Sequence, residues 1–490
     1  APNLPESVRS GLTRLKQGDA RGAYEQFRAL AAKEPENLGA ECAVLLALDA
    51  IGLDEGDGHA AEFETRVDTF IDHASSRRDR NAGDREALFY LAQAYGARAG
   101  YRFEHGKGIW GAARDAAKAK RLSDEYVRLV PADADGYYTL GLYNYYVAIA
   151  PSFVRVLSVL LFLPSGNRTE GLKQIQRAAQ GGELWGQEAH FNLIDIYSDL
   201  EGRPDEAVRL ALDLKRAYPD NPKALLTLAE TELHPTVEHY AAAAAGFGDV
   251  ITRARARDPH FRDQHLYGAT TGLAAAYQQQ WRLEEAIATL TPAIDAGVSK
   301  PTWVLPTFLL RRGVYRSQLG DRRGIEDLQR LLNDKKFERW HRAARRQIKL
   351  AEERTASGAA SVYAALIPGN RLVAERRWNE AEAFYAKMEQ QHPGNVQVRY
   401  RSALLEFERD RLDRAADLFN RVIGGANRGT PTWIKGPSML YVARIHDIWG
   451  QRPQATALYQ RIVKEFDDTD FAVQAAKVGL ISPYRRAGRT

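Results

Sequence analysis

Residues 187–222 read QEAHFNLIDIYSDLEGRPDEAVRLALDLKRAYPDNP, and this stretch decides the fold. Phe191, Ile194 and Tyr197 recur at helical spacing, so they form one apolar stripe. Gly202 and Pro204 break the run, a second amphipathic segment follows around Ala207, and Pro219 stops it. Two helices joined by so short a turn approach closely only where a small side chain faces a large one. A pair of this length leaves an apolar face uncovered and must stack on further copies of itself.

The same grammar recurs along the chain. In SGLTRLKQGDARGAYEQFRALAAKEPEN, residues 10–37, Gly11 is the small residue of the first helix, Ala23 the crossing residue of the second, Phe27 the aromatic one turn later and Pro35 the stop. These positions match the tetratricopeptide pattern. Ala286 with Leu290, Ala381 with Tyr385, Ala415 with Phe419 and Ala455 with Tyr459 repeat the crossing motif, and residues from Phe471 to Leu480 read as a cap. The expected fold is all-α: a tetratricopeptide-repeat right-handed superhelix, an α-α solenoid with an inserted hydrophobic helix. RTASGAAS at 354–361 is the best candidate boundary, dividing an array at 1–357 from C-terminal repeats and a capping helix at 358–490.

One stretch departs from the repeat. Residues 137–172 read YYTLGLYNYYVAIAPSFVRVLSVLLFLPSGNRTEGL, and from Val147 to Leu163 the only charge is Arg155. Phe153, Val156, Leu157, Leu160 and Leu161 belong to a near-continuous apolar surface within an insertion at about 147–168. Between Pro151 and Pro164 a helix would be about 20 Å long at about 1.5 Å per residue, short of a ~30 Å bilayer core. Three readings stay open: a helix packed inside the solenoid, the wall of an apolar groove, and a helix dipping into a membrane surface.

The residues around this insertion, Gly141, Tyr143, Asn144, Pro151, Leu157, Leu160, Gly166, Arg168, Gly171 and Leu172, resemble the tetratricopeptide repeat domain 39 family, which includes the yeast inclusion-body clearance protein and bacterial relatives. The resemblance spans about residues 86–215. Ser152 stands where that family usually has a second Pro, and Asn167 replaces an acidic turn residue. It implies an adaptor-like helical protein without known chemistry.

With 44% hydrophobic and 27% charged residues, 490 residues in all and no long apolar run, the composition is that of a globular array rather than an ordinary membrane protein. A net charge of +5 permits acidic partners without requiring nucleic acid. The single cysteine, Cys42, forms no internal disulfide and reads as a small core residue. The start APNLPESV fits a precursor cut after a small residue, which favours an extracytoplasmic location, periplasmic or secreted, over a cytoplasmic one.

Catalytic and cofactor signatures are missing: there is no G-x-S-x-G elbow, H-E-x-x-H helix or C-x-x-C pair. Gly106, Gly108 and Gly111 satisfy G-x-G-x-x-G, but a helix precedes them where a dinucleotide loop needs a strand. They are expected to let a turn pass close to the insertion. His234 with His239 and His260 with His265 are five apart, which does not stack two imidazoles on one helix face. No metal, cofactor or enzymatic activity is expected.

Binding signals are stronger. The first helix of each pair lines the inner surface of such an array, placing Tyr138, Leu142 and Tyr145 toward a groove with Tyr146 close by; amphipathic rings suit a protein partner and equally suit packing. Between Arg311 and Lys349 thirteen basic residues stand against five acids. The densest part holds Arg339, Arg342, Arg345, Arg346 and Lys349, a solvated face or a surface for an anionic polymer. The expected function is a non-catalytic interaction scaffold that binds a protein partner through the concave face. The alternatives are a binder of lipid or another apolar ligand through the insertion and, lower, a binder of anionic polymer.

Overall fold

A computed structural model describes residues 4–52, 59–150, 164–235, 237–356, 359–425, 432–467 and 471–486. Among them there are helices and turns and no strand. The chain groups into two compact units, one of residues 1–195 with 210–225 and the other of 196–209 with 226–490. The division expected after residue 357 falls inside the second unit. The physical reason is packing across it: Arg371 donates to the Trp281 carbonyl at 3.2 Å, and the Trp281 ring lies 6.3 Å from that of Tyr363.

In the first unit, helices Glu6–Lys16 and Ala20–Lys33 form the opening pair. Asp19 caps the second helix by accepting from Gly22 N at 3.0 Å. Gly11 lies under the Phe27 ring so closely that a Cβ there would sit 2.2 Å from a ring carbon. Ala23 and Phe27 are fully buried, as the small-against-large rule requires. Helices Leu38–Ile51, His59–Arg80, Arg85–Glu104, Ile109–Leu129, Gly136–Ile149, Arg168–Gly181 and Gly186–Asp195 follow in order, most packing on the helices before and after in sequence.

The opening pair also meets residues far along the chain. Arg9 Nε donates to Glu183 at 2.6 Å, Lys16 Nζ to the Glu183 carbonyl at 2.8 Å, and Asn221 Nδ2 to the Lys16 carbonyl at 3.0 Å. The succession of helices therefore returns on itself within this unit. Cys42 is buried, and desolvation pushes its thiol far up, away from reactivity.

The second unit repeats the construction, and the crossing residues Ala207, Ala286, Ala381, Ala415 and Ala455 are all fully buried. Its ends meet as well. The helix Phe471–Ile481 packs on the π-turn Ile196–Leu200, and Ser482 Oγ donates to the Leu200 carbonyl at 2.9 Å. The densest part of the basic stretch lies on a well-formed helix, Glu338–Ala356, after a short turn at Lys335–Phe337.

Candidate partner-binding surface

The helix Gly136–Ile149 carries the candidate groove residues. Its partner is Arg168–Gly181, and the two nearly touch backbone to backbone. A Cβ on Gly171 would lie 2.5 Å from Tyr145 N and 2.8 Å from the Gly141 carbonyl. Asn144 Nδ2 donates to Gln174 at 2.8 Å, and Tyr143 OH to the Pro164 carbonyl at 2.6 Å. Gly141, Tyr143, Asn144, Gly166 and Gly171, the residues shared with the resembling family, thus clamp the two ends of the insertion together. The insertion residues Phe153, Val156, Leu157, Leu160 and Leu161 lie outside the described residues.

The four expected groove residues divide. Tyr145 is fully buried, with its ring against that of Tyr146 at 5.4 Å, so it belongs to the packing of this helix and not to a groove. Leu142 is half-buried. Tyr146 is 42% exposed. Tyr138 is buried along its ring, which stacks on Trp185 at 4.8 Å and 15°, while its hydroxyl accepts from Asn192 Nδ2 at 3.0 Å.

Trp185 is aimed there by a device that no sequence pattern announced. The Asp135 carboxylate, almost wholly buried, accepts from the backbone N–H groups of Glu183, Leu184 and Trp185 at 3.0, 3.1 and 2.8 Å. A carboxylate satisfied by several N–H groups holds a turn rigidly.

Around Tyr138 lies a charged cluster drawn from three elements. Lys223, at the start of Pro222–Leu233, donates to Glu188 at 3.0 Å and sits 4.2 Å from the centre of the Phe191 ring. Asn221 caps that helix by accepting from Lys223 N at 2.8 Å. Asp49, on Leu38–Ile51, touches water yet is walled in by protein. Desolvation pushes its pKa up to about 6; Lys223 opposes the rise, and Glu188 and Glu104 add to it. Burial works against the charge on Lys223, but Glu188 and Asp49 outweigh it and the pKa is raised. These groups lie together on a partly exposed surface of a tyrosine, an asparagine, two acids and one lysine. Such a set offers hydrogen bonds and discrete charges to a polypeptide.

The other sequence signals resolve locally. Gly106 and Gly108 have φ of +63° and +99°, and no described atom lies within 4 Å of a Cβ built on either. The turn between helices Arg85–Glu104 and Ile109–Leu129 demands their left-handed backbone; the insertion that they were expected to approach lies outside the described residues. His234 pairs with Asp199 at 2.9 Å, and burial lowers the pKa of His265 to about 4. Among the described residues no group of three or more potential ligands could hold a metal ion. No described helix is long and apolar enough to cross a membrane.

Of the basic stretch, Arg312 and Arg316 turn inward and share Asp327 at 2.7 and 2.9 Å. Arg323 pairs with Asp321, and Arg342 reaches Asp467 at 3.3 Å. Arg339 and Arg345 are exposed, as is Lys349; Arg346 is half-buried. Arg312 and Arg316 are thus paired inside the fold, while the remaining positive charge of the stretch stays largely at the surface.

No curated protein sequence matches the chain significantly. Among solved structures it is similar to yeast Tom70, with 12% identity over 93% of this chain and 91% of that one at a TM-score of 0.32. It is also similar to the human IFIT1 dimer with m7Gppp-AAAA, with 10% identity over 94% and 89% at a TM-score of 0.26. Residues 372–427, which include the helix of Ala381 and the whole of the following pair, Val396–Glu408 with Leu412–Gly424, match the family model described as Tetratricopeptide repeat.

Proposed function

We propose that the chain is a non-catalytic scaffold that docks a protein partner along the face made by the first helix of each pair, with Tyr138, Tyr146, Asn192, Lys223 and Asp49 contributing in the first unit. The observation that carries this reading is the exposed Asp49 carboxylate, crowded by protein until its pKa rises to about 6, beside Tyr138 and the Lys223–Glu188 pair, because perturbed acids gather where a surface is used. The test compares proteins recovered from native extract by the wild-type chain and by an Asp49→Lys, Tyr146→Ala variant of equal thermal stability. The expected result is loss of a specific protein from the variant sample. Identical recoveries would sink the proposal for this surface.

A second reading has its own observation. Phe103, Ile109 and Trp110 are 72%, 54% and 52% exposed and flank the turn that carries Lys107. Exposed aromatic and aliphatic side chains beside a cation suit the headgroup boundary of a bilayer. This surface would let the protein rest on a membrane without spanning it. Flotation with vesicles of neutral and anionic lipid tests it: the wild type is expected to float and a Phe103→Ser, Trp110→Ser variant to stay in the soluble fraction. No flotation of the wild type with either vesicle excludes this contact.

A further inference from the structure

In the second unit, two arginines on successive first helices of pairs lack the carboxylate partner that their neighbours have. Arg401 lies on Val396–Glu408 and Arg444 on Thr432–Ile448, two helices that touch one another. Arg444 is only 6% exposed. Its guanidinium lies against ring faces, 4.6 Å from the centre of Tyr484 and 5.3 Å from that of Tyr441, with Glu238 near enough to act on its charge without forming an ion pair. Arg401 is held likewise by Trp281 at 4.4 Å, Tyr400 at 5.4 Å and Tyr363 at 5.9 Å. Neither makes a hydrogen bond or an ion pair with a described residue. Around them Arg409 and Arg411 pair with Glu382, Arg452 with Asp447 and Arg486 with Asp410.

The rings are themselves fixed. Asp447 accepts from Tyr484 N and from Tyr459 OH, each at 2.8 Å, and takes Arg452 at 3.0 Å. Tyr441 stacks on Phe419 at 5.2 Å. Tyr400 is buried between the two arginines and within electrostatic reach of both. A guanidinium stacked on aromatic faces keeps its edge N–H groups pointing outward in a planar fork that matches a carboxylate in two-point contact. No guanidinium nitrogen of Arg401 or Arg444 is both sealed from water and without a partner, so the donors are within reach of a ligand, and a carboxylate that replaces water there gains a charge-assisted two-point contact.

We propose that Arg401 and Arg444 form a carboxylate-recognition strip for an extended acidic peptide lying along the first helices of the second unit. This deepens the scaffold reading and rests on it. Charge and stacking favour a peptide over a polynucleotide. Glu238 and Glu408 act electrostatically on Tyr240, Tyr441 and Tyr484 beside Arg444, so a continuous phosphate chain would meet repulsion where a peptide offers an N–H or a basic side chain. The ring faces are already taken by guanidinium groups or other rings, leaving bases no platform.

The test is a set of fluorescein-labelled twelve-residue peptides with Glu at varied spacings, each with a counterpart in which Gln replaces Glu, alongside a ten-nucleotide oligouridylate and free glutarate. Fluorescence anisotropy reads the labelled probes and competition reads glutarate. At least one Glu peptide should bind, and its Gln counterpart should bind about tenfold or more weakly, the loss expected for a two-point charged contact. R401M and R444M should each lose binding by a similar factor, while R339Q with R345Q on the basic stretch should not. Because Arg444 is packed between rings, R444K is included: it keeps charge and most of the packing but lacks the fork, so it should stay folded by circular dichroism and still lose affinity. The proposal is overturned if Gln peptides bind equally, if no Glu peptide binds, if R401M and R444K bind as wild type, if oligouridylate binds more tightly, or if glutarate alone matches the peptide. The scaffold reading stands or falls separately on the Asp49 and Tyr146 variant in the first unit.

Discussion

Replacing Gly171 by Ala adds one methyl group at the tightest crossing of the first unit. The new Cβ would lie 2.5 Å from Tyr145 N, 2.8 Å from the Gly141 carbonyl and 2.9 Å from Tyr145 Cα. All three are backbone atoms, so no rotamer change relieves the clash. Ordinary contact needs about 3.5–4.0 Å, so the helices Gly136–Ile149 and Arg168–Gly181 must part by roughly 1 Å. Overpacking of this kind costs about 1–3 kcal/mol. Separation also strains the Asn144–Gln174 hydrogen bond, worth about 1 kcal/mol, while the better helix propensity of Ala returns about 1 kcal/mol. The net expectation is about 2 kcal/mol, or roughly 4–8 °C in Tm for a unit of this size. Gly100→Ala is the control, since its Cβ would meet nothing within 4 Å inside helix Arg85–Glu104. There only the propensity gain remains, and the variant should melt higher than wild type. Calorimetry of both variants decides: if Gly171→Ala melts as high as Gly100→Ala, the close crossing does not exist and the account of the residues flanking the insertion is wrong.

Asp135→Asn leaves one oxygen for three backbone N–H groups, so a loss of about 2–4 kcal/mol is expected. Near-ultraviolet circular dichroism should change with it as Trp185 loses its fixed place, and an unchanged aromatic signal would contradict the assigned role. Asp327→Asn removes the shared partner of Arg312 and Arg316, both well buried, and should cost about 3–5 kcal/mol; a denaturant midpoint equal to wild type would show that the triad is not closed. Asp49 titrates near pH 6 in the folded chain against an ordinary value of 3.8. The folded state therefore binds more protons across that interval, and its stability falls as pH rises through it. Asp49→Asn removes this penalty, so the variant should melt above wild type at pH 7.5 and the difference should vanish near pH 4. A difference that is constant with pH would show that Asp49 is freely solvated.

How much of this could be read beforehand follows from the range of each interaction. The crossing of Gly11 with Ala23 and Phe27, and the repeated alanines at 207, 286, 381, 415 and 455, were legible because they repeat and because contacts between neighbouring helices are local. The charges of 311–349 were harder to read, since Arg312 and Arg316, which pair inward with Asp327, look in sequence like part of a solvated run. Tyr145 was misplaced for a finer reason: at 3.6 residues per turn Tyr138 and Tyr145 sit nearly one above the other, and only the backbone contact with Gly171 decides that Tyr145 is covered.

The least legible feature is that each unit closes on itself. Arg9 meets Glu183, and Ser482 meets Leu200, in contacts between residues 174 and 282 positions apart, with no periodicity to betray them. Closure is also what gives the candidate surfaces their character. Ser482, which makes the closing contact of the second unit, lies two residues before Tyr484, one of the rings that hold Arg444, and Asn221, which helps to close the first, caps the helix that carries Lys223. Repeats supply the side chains, and the few contacts that close each unit hold them in place, where a single carboxylate or guanidinium discriminates between partners.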